Sequence, residues 1–367
     1  MVEWVILQTR DIYIAAVART LKLTRPVHPD ATVTISDWIE RWAKERPDAP
    51  AIFFQDRVVS YAELDRGANR YARLAYAQGL RKGDVVTLLM DNRPEYLMAW
   101  IGLVKNGCVA ALVNTNLTGH PLGHSINLAA AKHIILGDEL AANCDSALAE
   151  LEVKPTLWAT GGARTGCEDL DAALAAQSDA PMGHESRADL HCRDKALYIY
   201  TSGTTGLPKA ANISHMRLLH IMSAFQGAVN AGPDDRMYDV LPLYHSAGGI
   251  CAIGPVFFGG GALVIRERFS ASEFWDDCWR YKPTVFQYIG ELCRYLLNMP
   301  PHPHERDHAL KVAIGNGLRP EIWPRFERGE IDFLLTPEQF TSNEHPRQLL
   351  FEERHVVVGW NRNPVFK

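Results

Sequence analysis

Short apolar runs alternate with segments of helical period along two stretches of this chain, and no other feature constrains its fold as strongly. In the first stretch, strand-like runs at 85–90, 108–113 and 133–136 enclose helical segments at 94–105 and 121–131. This alternation is typical of α/β proteins with largely parallel sheets, in which helices connect neighbouring strands. Because one hydrophobic core stops growing at roughly 250–300 residues, a chain of 367 residues is expected to form two α/β lobes.

The second stretch repeats the pattern beyond residue 235. Its predicted elements are strand 236–241, strand 262–265, helix 270–281, strand 284–286, helix 291–299 and strand 311–314. Ahead of the first stretch, helices at 34–46 and 61–78 flank a predicted hairpin of 51–54 and 57–60. Residues 161–194 are polar and mixed, and we interpret them as a connection to the segment that follows.

The composition argues against several classes of protein. A net charge of -5 gives no support to nucleic-acid binding, which favours basic domains. The seven cysteines are scattered without a CxxC pair, which favours reduced thiols in a cytoplasmic protein over a zinc site or a disulfide framework. No run reaches the roughly 18 apolar residues of a transmembrane helix. Residues 1–31 carry a weakly amphipathic pattern, which leaves two roles open: packing on the protein's own body, or peripheral contact with the inner face of a membrane.

The segment 198–209, Tyr-Ile-Tyr-Thr-Ser-Gly-Thr-Thr-Gly-Leu-Pro-Lys, has the chemistry of a phosphate-binding loop. Glycines let successive backbone N–H groups face an anion, hydroxyls add donors, and a lysine supplies positive charge. The residues of these three kinds are Thr201, Ser202, Gly203, Thr204, Thr205, Gly206 and Lys209. The spacing is not that of Walker A, since two residues separate the glycines and Ala210 follows the lysine. An ordinary polar loop is the alternative; a position between strand 196–200 and a helix expected after Ile213 favours phosphate binding.

Two further segments follow apolar strands, which is where ligands bind in α/β proteins. Segment 241–249, Leu-Pro-Leu-Tyr-His-Ser-Ala-Gly-Gly, presents Tyr244 and His245 at such a strand end. Segment 313–319, Ala-Ile-Gly-Asn-Gly-Leu-Arg, ends a strand and precedes a helix predicted near Pro320. Taken singly, His245 fits a core or capping histidine, and Gly-x-Gly fits a plain turn.

Taken together and in this order, the three segments resemble the motifs of the adenylate-forming (AMP-binding) superfamily, which includes acyl-CoA synthetases and luciferases. Leu-Pro-Leu-Tyr-His followed by Gly-Asn-Gly-Leu-Arg looks most like the fatty acid transport protein group, the very-long-chain acyl-CoA synthetases. Ser60-Tyr-Ala-Glu-Leu64 and Asn92-Arg-Pro-Glu-Tyr96 also stand in the expected order. The resemblance covers roughly residues 32–328.

This resemblance implies an acid–thiol ligase that joins a long- or very-long-chain fatty acid to coenzyme A. ATP and Mg²⁺ would serve its first step, which forms an acyl-adenylate and pyrophosphate, and CoA would serve its second. By resemblance, the hydroxyls, glycines and lysine of 201–209 hold phosphates, and Tyr244 and His245 border the acyl pocket. Gly315, Asn316 and Gly317 would flank adenine. Two alternatives stay open: a non-catalytic nucleotide- or acyl-binding remnant, and a fatty acid uptake protein at a membrane. The oligomeric state is not predicted.

The resemblance ends near Gly329. Residues 330–367 contain nothing like the family segment whose glutamate helps to bind Mg²⁺, nor the C-terminal domain with its catalytic lysine, so no catalytic residue is assigned. We therefore expect a truncated or frame-shifted member of the family with impaired activity. It would consist of an N-terminal segment 1–31, an incomplete large AMP-binding domain 32–328 with two α/β lobes, and an atypical tail 329–367.

Two tempting groups of polar residues carry no predicted metal site. His302, His304 and His308 stand among prolines without the ligand spacings of zinc motifs, which predicts an exposed loop. Asp234 and Asp235 precede a strand, and an aspartate-containing turn is the simpler interpretation.

Overall fold

The structure, a computed structural model, describes residues 16–24, 27–183, 187, 189–201 and 207–317, and the backbone of three short strands between 334 and 358. The helices are α1 (described residues 16–23), α2 (Ile35–Glu45), α3 (Tyr61–Ala77), α4 (Pro94–Lys105), α5 (Gly119–Ala129), α6 (Ala141–Ala147), α7 (Leu170–Ala175), α8 (His215–Val229), a π-helix (Ala247–Ala252), α9 (Ile253–Gly259), α10 (Phe274–Tyr281) and α11 (Gly290–Leu297). The strands are β1 (Pro50–Phe54), β2 (Arg57–Ser60), β3 (Val85–Leu89), β4 (Val109–Leu112), β5 (His133–Leu136), β6 (Thr156–Ala159), β7 (Glu168–Asp169), β8 (Lys195–Thr201), β9 (Lys209–Ser214), β10 (Arg236–Asp239), β11 (Ala262–Ile265), β12 (Val285–Ile289), β13 (Val312–Asn316), β14 (Leu334–Pro337), β15 (Arg347–Leu349) and β16 (His355–Val358).

The chain divides into two compact units. The larger unit comprises residues 26–221 and 242–250, and the smaller unit comprises residues 1–25, 222–241 and 251–367.

A seven-stranded sheet lies in the larger unit, with the described strands in the order β7-β6-β5-β3-β4-β8-β9. All neighbours are parallel except β8 and β9. Apolar side chains of β3, β4 and β5 pack against α5 and α6 in a buried cluster. The alternation of strands and helices predicted from the sequence is confirmed here, with element ends displaced by one or two residues. β1 and β2 form the predicted antiparallel hairpin.

The helix expected after Ile213 is confirmed as α8, but the sequence did not predict the strand before it, β9, which begins at Lys209. β9 pairs antiparallel with β8, with Thr201 opposite Lys209 and Ile199 opposite Ala211, and α8 begins only at His215. The physical reason is backbone hydrogen bonding. One edge of β8 pairs with β4, and β9 satisfies the N–H and C=O groups of the other edge.

Four parallel strands, in the order β13-β12-β10-β11, form the sheet of the smaller unit. α1 packs on α8: Arg19 Nε donates to the Gly227 carbonyl over 3.2 Å, and a Cβ on Gly227 would lie 2.7 Å from Thr20 Cα. The described part of α1 therefore packs on the protein itself, while residues 1–15 lie outside the described residues. None of the described helices has both the length and the apolar character needed to cross a bilayer.

Candidate functional site

The carboxyl ends of the parallel strands in the larger unit meet at one edge of its sheet. Because β3, β4 and β8 run in the same direction, the loops that follow them emerge at this edge. Asn92 follows β3, Asn116 follows β4, and Thr201 ends β8. Open α/β sheets bind ligands at this edge, so polar residues gathered there form a candidate site.

Thr201 and Lys209 are brought together at this edge. They are register partners at the end of β8 and the start of β9, and both are exposed. The predicted loop residues between them, Ser202, Gly203, Thr204, Thr205 and Gly206, lie outside the described residues. The pairing places a threonine and a lysine on the two sides of the loop entrance.

Helix α5 supports both ends of this loop. The Tyr200 hydroxyl donates to the Ser125 carbonyl over 2.8 Å, and His124 Nε2 lies 3.2 Å from the Pro208 carbonyl oxygen, to which its N–H donates. The residues next to Thr201 and Lys209 are thereby tied to the same helix.

Segment 242–250 lies along this edge because two asparagines hold it there. Asn92 is buried, and its Oδ1 accepts a hydrogen bond from the Leu243 N–H over 2.9 Å. Asn116 Nδ2 donates to the Tyr244 hydroxyl over 3.2 Å. Desolvation raises the pKa of the half-buried Tyr244 above its usual value, so its hydroxyl is a neutral hydrogen-bonding group at physiological pH.

His245 is exposed at this edge, which excludes the core alternative for this histidine. Its N–H donates to the Pro242 carbonyl over 3.0 Å, and its carbonyl accepts from Gly249 N over 2.7 Å at the start of the π-helix. Although part of the ring meets solvent, surrounding protein desolvates it and lowers the pKa of His245. The side chain is therefore neutral at physiological pH; its Nδ1 accepts from the Ala247 N–H over 3.5 Å, which leaves Nε2–H as a donor.

Gly315, Asn316 and Gly317 lie in the smaller unit, where β13 ends. A Cβ on Gly315 would lie 2.1 Å from the carbonyl oxygen of Tyr288, its register partner on β12. Gly317 has a φ of +70°, which favours glycine. The two glycines are thus required by backbone approach and backbone conformation before any ligand is considered. The helix predicted near Pro320 lies outside the described residues.

No role was predicted for Asn92, Asn116 or Tyr96, yet all three lie at the carboxyl edge of the larger unit's sheet. The Tyr96 hydroxyl is buried beside Tyr244 and has no partner among the described residues. Asn92 and Tyr96 stand in a segment already singled out by resemblance, so a signal existed for them. The sequence held no signal for Asn116, because its partner Tyr244 is 128 residues away.

The two groups of polar residues that the sequence analysis weighed as metal sites lie in the smaller unit. His302 Nε2 and His304 Nε2 lie 3.6 Å and 4.0 Å from Asp276 Oδ1, on a turn that stacks against α10. Asp235 Oδ2 accepts from Gly232 N over 2.9 Å, as in an aspartate turn. Among the residues whose positions are described, no group of three or more His, Cys, Asp or Glu side chains is placed to hold a metal ion.

A family model described as "AMP-binding enzyme" matches residues 39–333. The chain belongs to the AMP-binding enzyme family. It is 39% identical over 327 residues to "Long-chain fatty acid transport protein 1" of Rattus norvegicus, covering 87% of this chain and 50% of that protein. It is 38% identical over 296 residues to "Long-chain fatty acid transport protein 6" of Mus musculus, covering 80% of this chain and 48% of that protein. The chain thus spans about half the length of the curated relatives it matches.

Solved structures show the same fold. An anthranilate CoA ligase in complex with anthranoyl-AMP superposes with a TM-score of 0.75 at 20% identity, covering 89% of this chain and 68% of the other. A putative long-chain-fatty-acid CoA ligase from Rhodopseudomonas palustris superposes with a TM-score of 0.73 at 21% identity, covering 85% of this chain and 76% of the other. The α/β fold with largely parallel sheets, predicted as the large N-terminal part of an adenylate-forming enzyme, is confirmed.

Proposed function

We propose that this chain carries the ATP- and acyl-binding part of a long- or very-long-chain fatty acyl-CoA synthetase. One observation carries the proposal: Thr201 and Lys209 flank the loop at the edge of the sheet along which Asn92 and Asn116 hold segment 242–250. A candidate phosphate site and a candidate carboxylate site therefore share one edge of the larger unit. The names of the relatives supply the substrate class, a long-chain fatty acid.

Lys209 and Thr201 fit a nucleotide polyphosphate. An exposed ammonium and an exposed hydroxyl stand on opposite sides of a loop that contains two glycines and three further hydroxyls. Such a set offers charge and hydrogen-bond donors to an anion. We assign Thr201, Ser202, Gly203, Thr204, Thr205, Gly206 and Lys209 to the β- and γ-phosphates of ATP, and Gly315, Asn316 and Gly317 to the adenine.

Tyr244 and His245 would bind the fatty acid carboxylate. Both side chains are neutral at physiological pH, so they orient an anionic oxygen by hydrogen bonding and leave its negative charge available for attack. Asn116 fixes the Tyr244 hydroxyl, and Asn92 fixes the backbone before it. Positioning of this kind converts an encounter of two substrates into a reaction within one complex.

The chemistry proposed for the complete enzyme has two steps. A carboxylate oxygen bonds to the α-phosphorus of ATP and pyrophosphate leaves, which yields an acyl-adenylate. The thiol sulfur of CoA then bonds to the acyl carbon, the bond between that carbon and the phosphate oxygen breaks, AMP leaves, and the thiol proton passes to solvent. Mg²⁺ neutralises phosphate charge when bound with the nucleotide; we assign it no protein ligand. We propose the cytoplasm, where ATP and CoA are available, as the place of action.

A second candidate function is fatty acid uptake at a membrane, and the observation that favours it is the word "transport" in the names of the relatives. A non-catalytic nucleotide-binding role is the third. Pyrophosphate release measured with ATP, Mg²⁺, CoA and fatty acids of increasing chain length tests the synthetase proposal. Turnover that rises with chain length supports it, whereas calorimetric ATP binding with no turnover for any acid supports the third. Liposome binding and fatty acid transfer without ATP dependence support uptake.

Lys209→Ala tests the phosphate assignment separately from turnover. Loss of a charge-assisted hydrogen bond costs about 1.5–3 kcal/mol, so calorimetric ATP affinity should fall about 10- to 100-fold. Lys195→Ala is the matched control, because Lys195 is an exposed lysine at the opposite end of β8. Equal ATP affinity in both variants would remove Lys209 from the phosphate site.

A further inference from the structure

At the carboxyl end of the smaller unit's sheet, a carboxyl group is buried with no cationic partner among the described residues. Asp239 is the last residue of β10 and is 0% exposed. Its Oδ1 accepts a hydrogen bond from the Leu241 N–H over 3.1 Å. Its Oδ2 is buried and has no hydrogen-bond partner among the described residues. An ionised carboxylate at such a place would be strongly disfavoured, because burial without a counter-charge costs more than its hydrogen bonds return.

A second unpaired acceptor stands beside it. Gln287 of β12 is 2% exposed, and its Oε1 is also buried without a partner among the described residues. Asp239 and Gln287 are register partners in the parallel pair β10–β12. Their side chains therefore leave the sheet on the same face, from strands about 4.8 Å apart. Gln287 Nε2 is turned to the Tyr288 carbonyl at 3.4 Å, which leaves Oε1 as the free end of the amide.

A proton on one of two adjacent buried acceptors lets it donate a hydrogen bond to the other. We propose that Asp239 is a neutral carboxylic acid whose Oδ2–H donates to Gln287 Oε1, and that this hydrogen bond makes Asp239 a positioning residue for the segment that follows β10. One proton then satisfies both unpaired oxygens, while Oδ1 keeps its bond to Leu241. The effect on substrate binding rests on the proposed function, since the segment leads into Tyr244 and His245; the hydrogen bond itself does not.

The surroundings of Asp239 are otherwise neutral. On β11 its register partner is Ile265, and on β12 it is Gln287. The titratable group that faces it from the π-helix is the Cys251 thiol, whose pKa is raised by burial to about 12. Burial also raises the pKa of Asp239 itself, to about 8. No described group supplies a positive charge that would hold the proton off.

The contribution of Asp239 to the stability of the protein should fall as pH rises. An unfolded aspartate ionises near pH about 3.9, whereas folded Asp239 keeps its proton until pH about 8. Its contribution to stability is therefore fully present below pH about 4, is lost as pH rises toward 8, and is constant above that. An asparagine at this position imitates the neutral acid at every pH, with an oxygen for Leu241 and an N–H for Gln287.

Asp239→Asn is the decisive variant. Its urea midpoint at pH 7 should lie above that of the wild type, the gain should shrink as pH is lowered to 5, and it should level off above pH about 8. Difference infrared spectra at pH 7 should show the carbonyl stretch of a protonated carboxylic acid in the wild type and not in Asp239→Asn. A lower midpoint for Asp239→Asn at pH 7, or no such stretch, would show that Asp239 is ionised and would overturn the proposal.

Gln287→Leu, made in both backgrounds, tests the acceptor. It should lower the midpoint, and the effects of the 239 and 287 substitutions should be non-additive, because they remove one hydrogen bond. Additive effects would overturn the pairing.

The KM for the fatty acid tests whether Asp239 affects the candidate site. It should rise in the wild type toward pH 8.5 and stay level in Asp239→Asn. If the urea midpoints behave as expected but the wild-type KM does not change with pH, Asp239 has no effect on the site. Absence of turnover in every variant would count against the proposed function, while the urea series still decides the hydrogen bond.

Discussion

Position 315 accepts only glycine because the backbone of the neighbouring strand occupies the place of a side chain. A Cβ there would lie 2.1 Å from the Tyr288 carbonyl oxygen, and backbone cannot move aside as a flexible side chain does. Gly315→Ala should therefore destabilise the protein by about 2 kcal/mol or more, measured as a lower urea midpoint. Gly232→Ala in the same unit is the control, since the nearest atom to its Cβ is 3.9 Å away. Similar midpoints for the two variants would contradict the clash.

His215 makes the stability of the protein depend on pH in the acid range. It is fully buried, neither ring nitrogen has a partner among the described residues, and burial lowers the pKa of His215 to about 4. Because the unfolded histidine takes up its proton near pH about 6.5, stability is complete above that pH and falls as pH drops toward 4.

The expected loss on acidification is about 3 kcal/mol between pH 6.5 and 4. His215→Gln should flatten this part of the stability profile, as followed by urea unfolding at several pH values. His28→Gln, at a side chain that is 75% exposed, should leave the slope unchanged. An unaltered slope in His215→Gln would assign the acid sensitivity to other groups.

Contacts between individual residues of the site were the hardest feature to predict from the sequence. Tyr244 and His245 were found by resemblance, but nothing in the sequence indicates that Asn116 reaches Tyr244, which lies 128 positions further along the chain. Such a pair is created by the chain reversals of the whole unit. The assignments of Thr201, Lys209, Tyr244 and His245 to substrate groups stay predictions, whereas their convergence on one edge is observed.

Three helices of the larger unit are joined by a buried charge. Lys105 at the end of α4 is 1% exposed, and its Nζ lies 2.9 Å from Asp65 Oδ1 of α3 and 2.7 Å from Glu40 Oε1 of α2. Removing one partner of a buried ion pair costs about 3–5 kcal/mol, because the remaining charge is left uncompensated.

Lys105→Met should lower the free energy of unfolding by that amount while keeping most of the side-chain volume. Lys82→Met removes the more exposed ion pair with Asp194 and should cost less than about 1 kcal/mol. Urea unfolding of both variants makes the comparison, and equal costs would show that the buried network contributes no more than a surface pair.

Elements with a strong apolar pattern were predictable, and β9 was not. The strands β3, β5 and β11 are buried apolar runs whose bounds the pattern indicates within a residue. β9 is a short strand with alanine, asparagine and serine, and it passes into α8 with no intervening loop. Its strand character comes from pairing with β8, which is a non-local cause that periodicity does not report.

At the scale of the molecule, ligand binding should appear as added stability. If ATP binds the folded chain alone, a concentration 100-fold above Kd stabilises it by about 2.7 kcal/mol, seen as a rise in Tm of several degrees. Lys209→Ala should lose about half or more of this rise at the same ATP concentration, and Lys195→Ala should keep it. A rise that is equal in both variants would show that ATP binds elsewhere. Differential scanning fluorimetry with an ATP titration makes this measurement.

The sequence predicted two α/β units, but it did not predict where the chain passes from one unit to the other. The chain passes between the units at four points, after residues 25, 221, 241 and 250. The second of these lies inside α8, a continuous helix with no proline or glycine at that place. Sequence signals for boundaries, such as composition shifts and flexible linkers, are absent there, so the pattern showed two lobes without showing which residues each contains.

The register pair of Thr201 and Lys209 has an entropic consequence for any ligand of the loop. Bringing the ends of a flexible segment together carries a closure cost that depends on its length. Here the β8–β9 ladder has already met that cost for the seven residues from 202 to 208. An anion that binds does not have to supply that cost, so a larger share of its contact energy remains as affinity. Lengthening the loop by a few residues should therefore weaken binding gradually rather than abolish it.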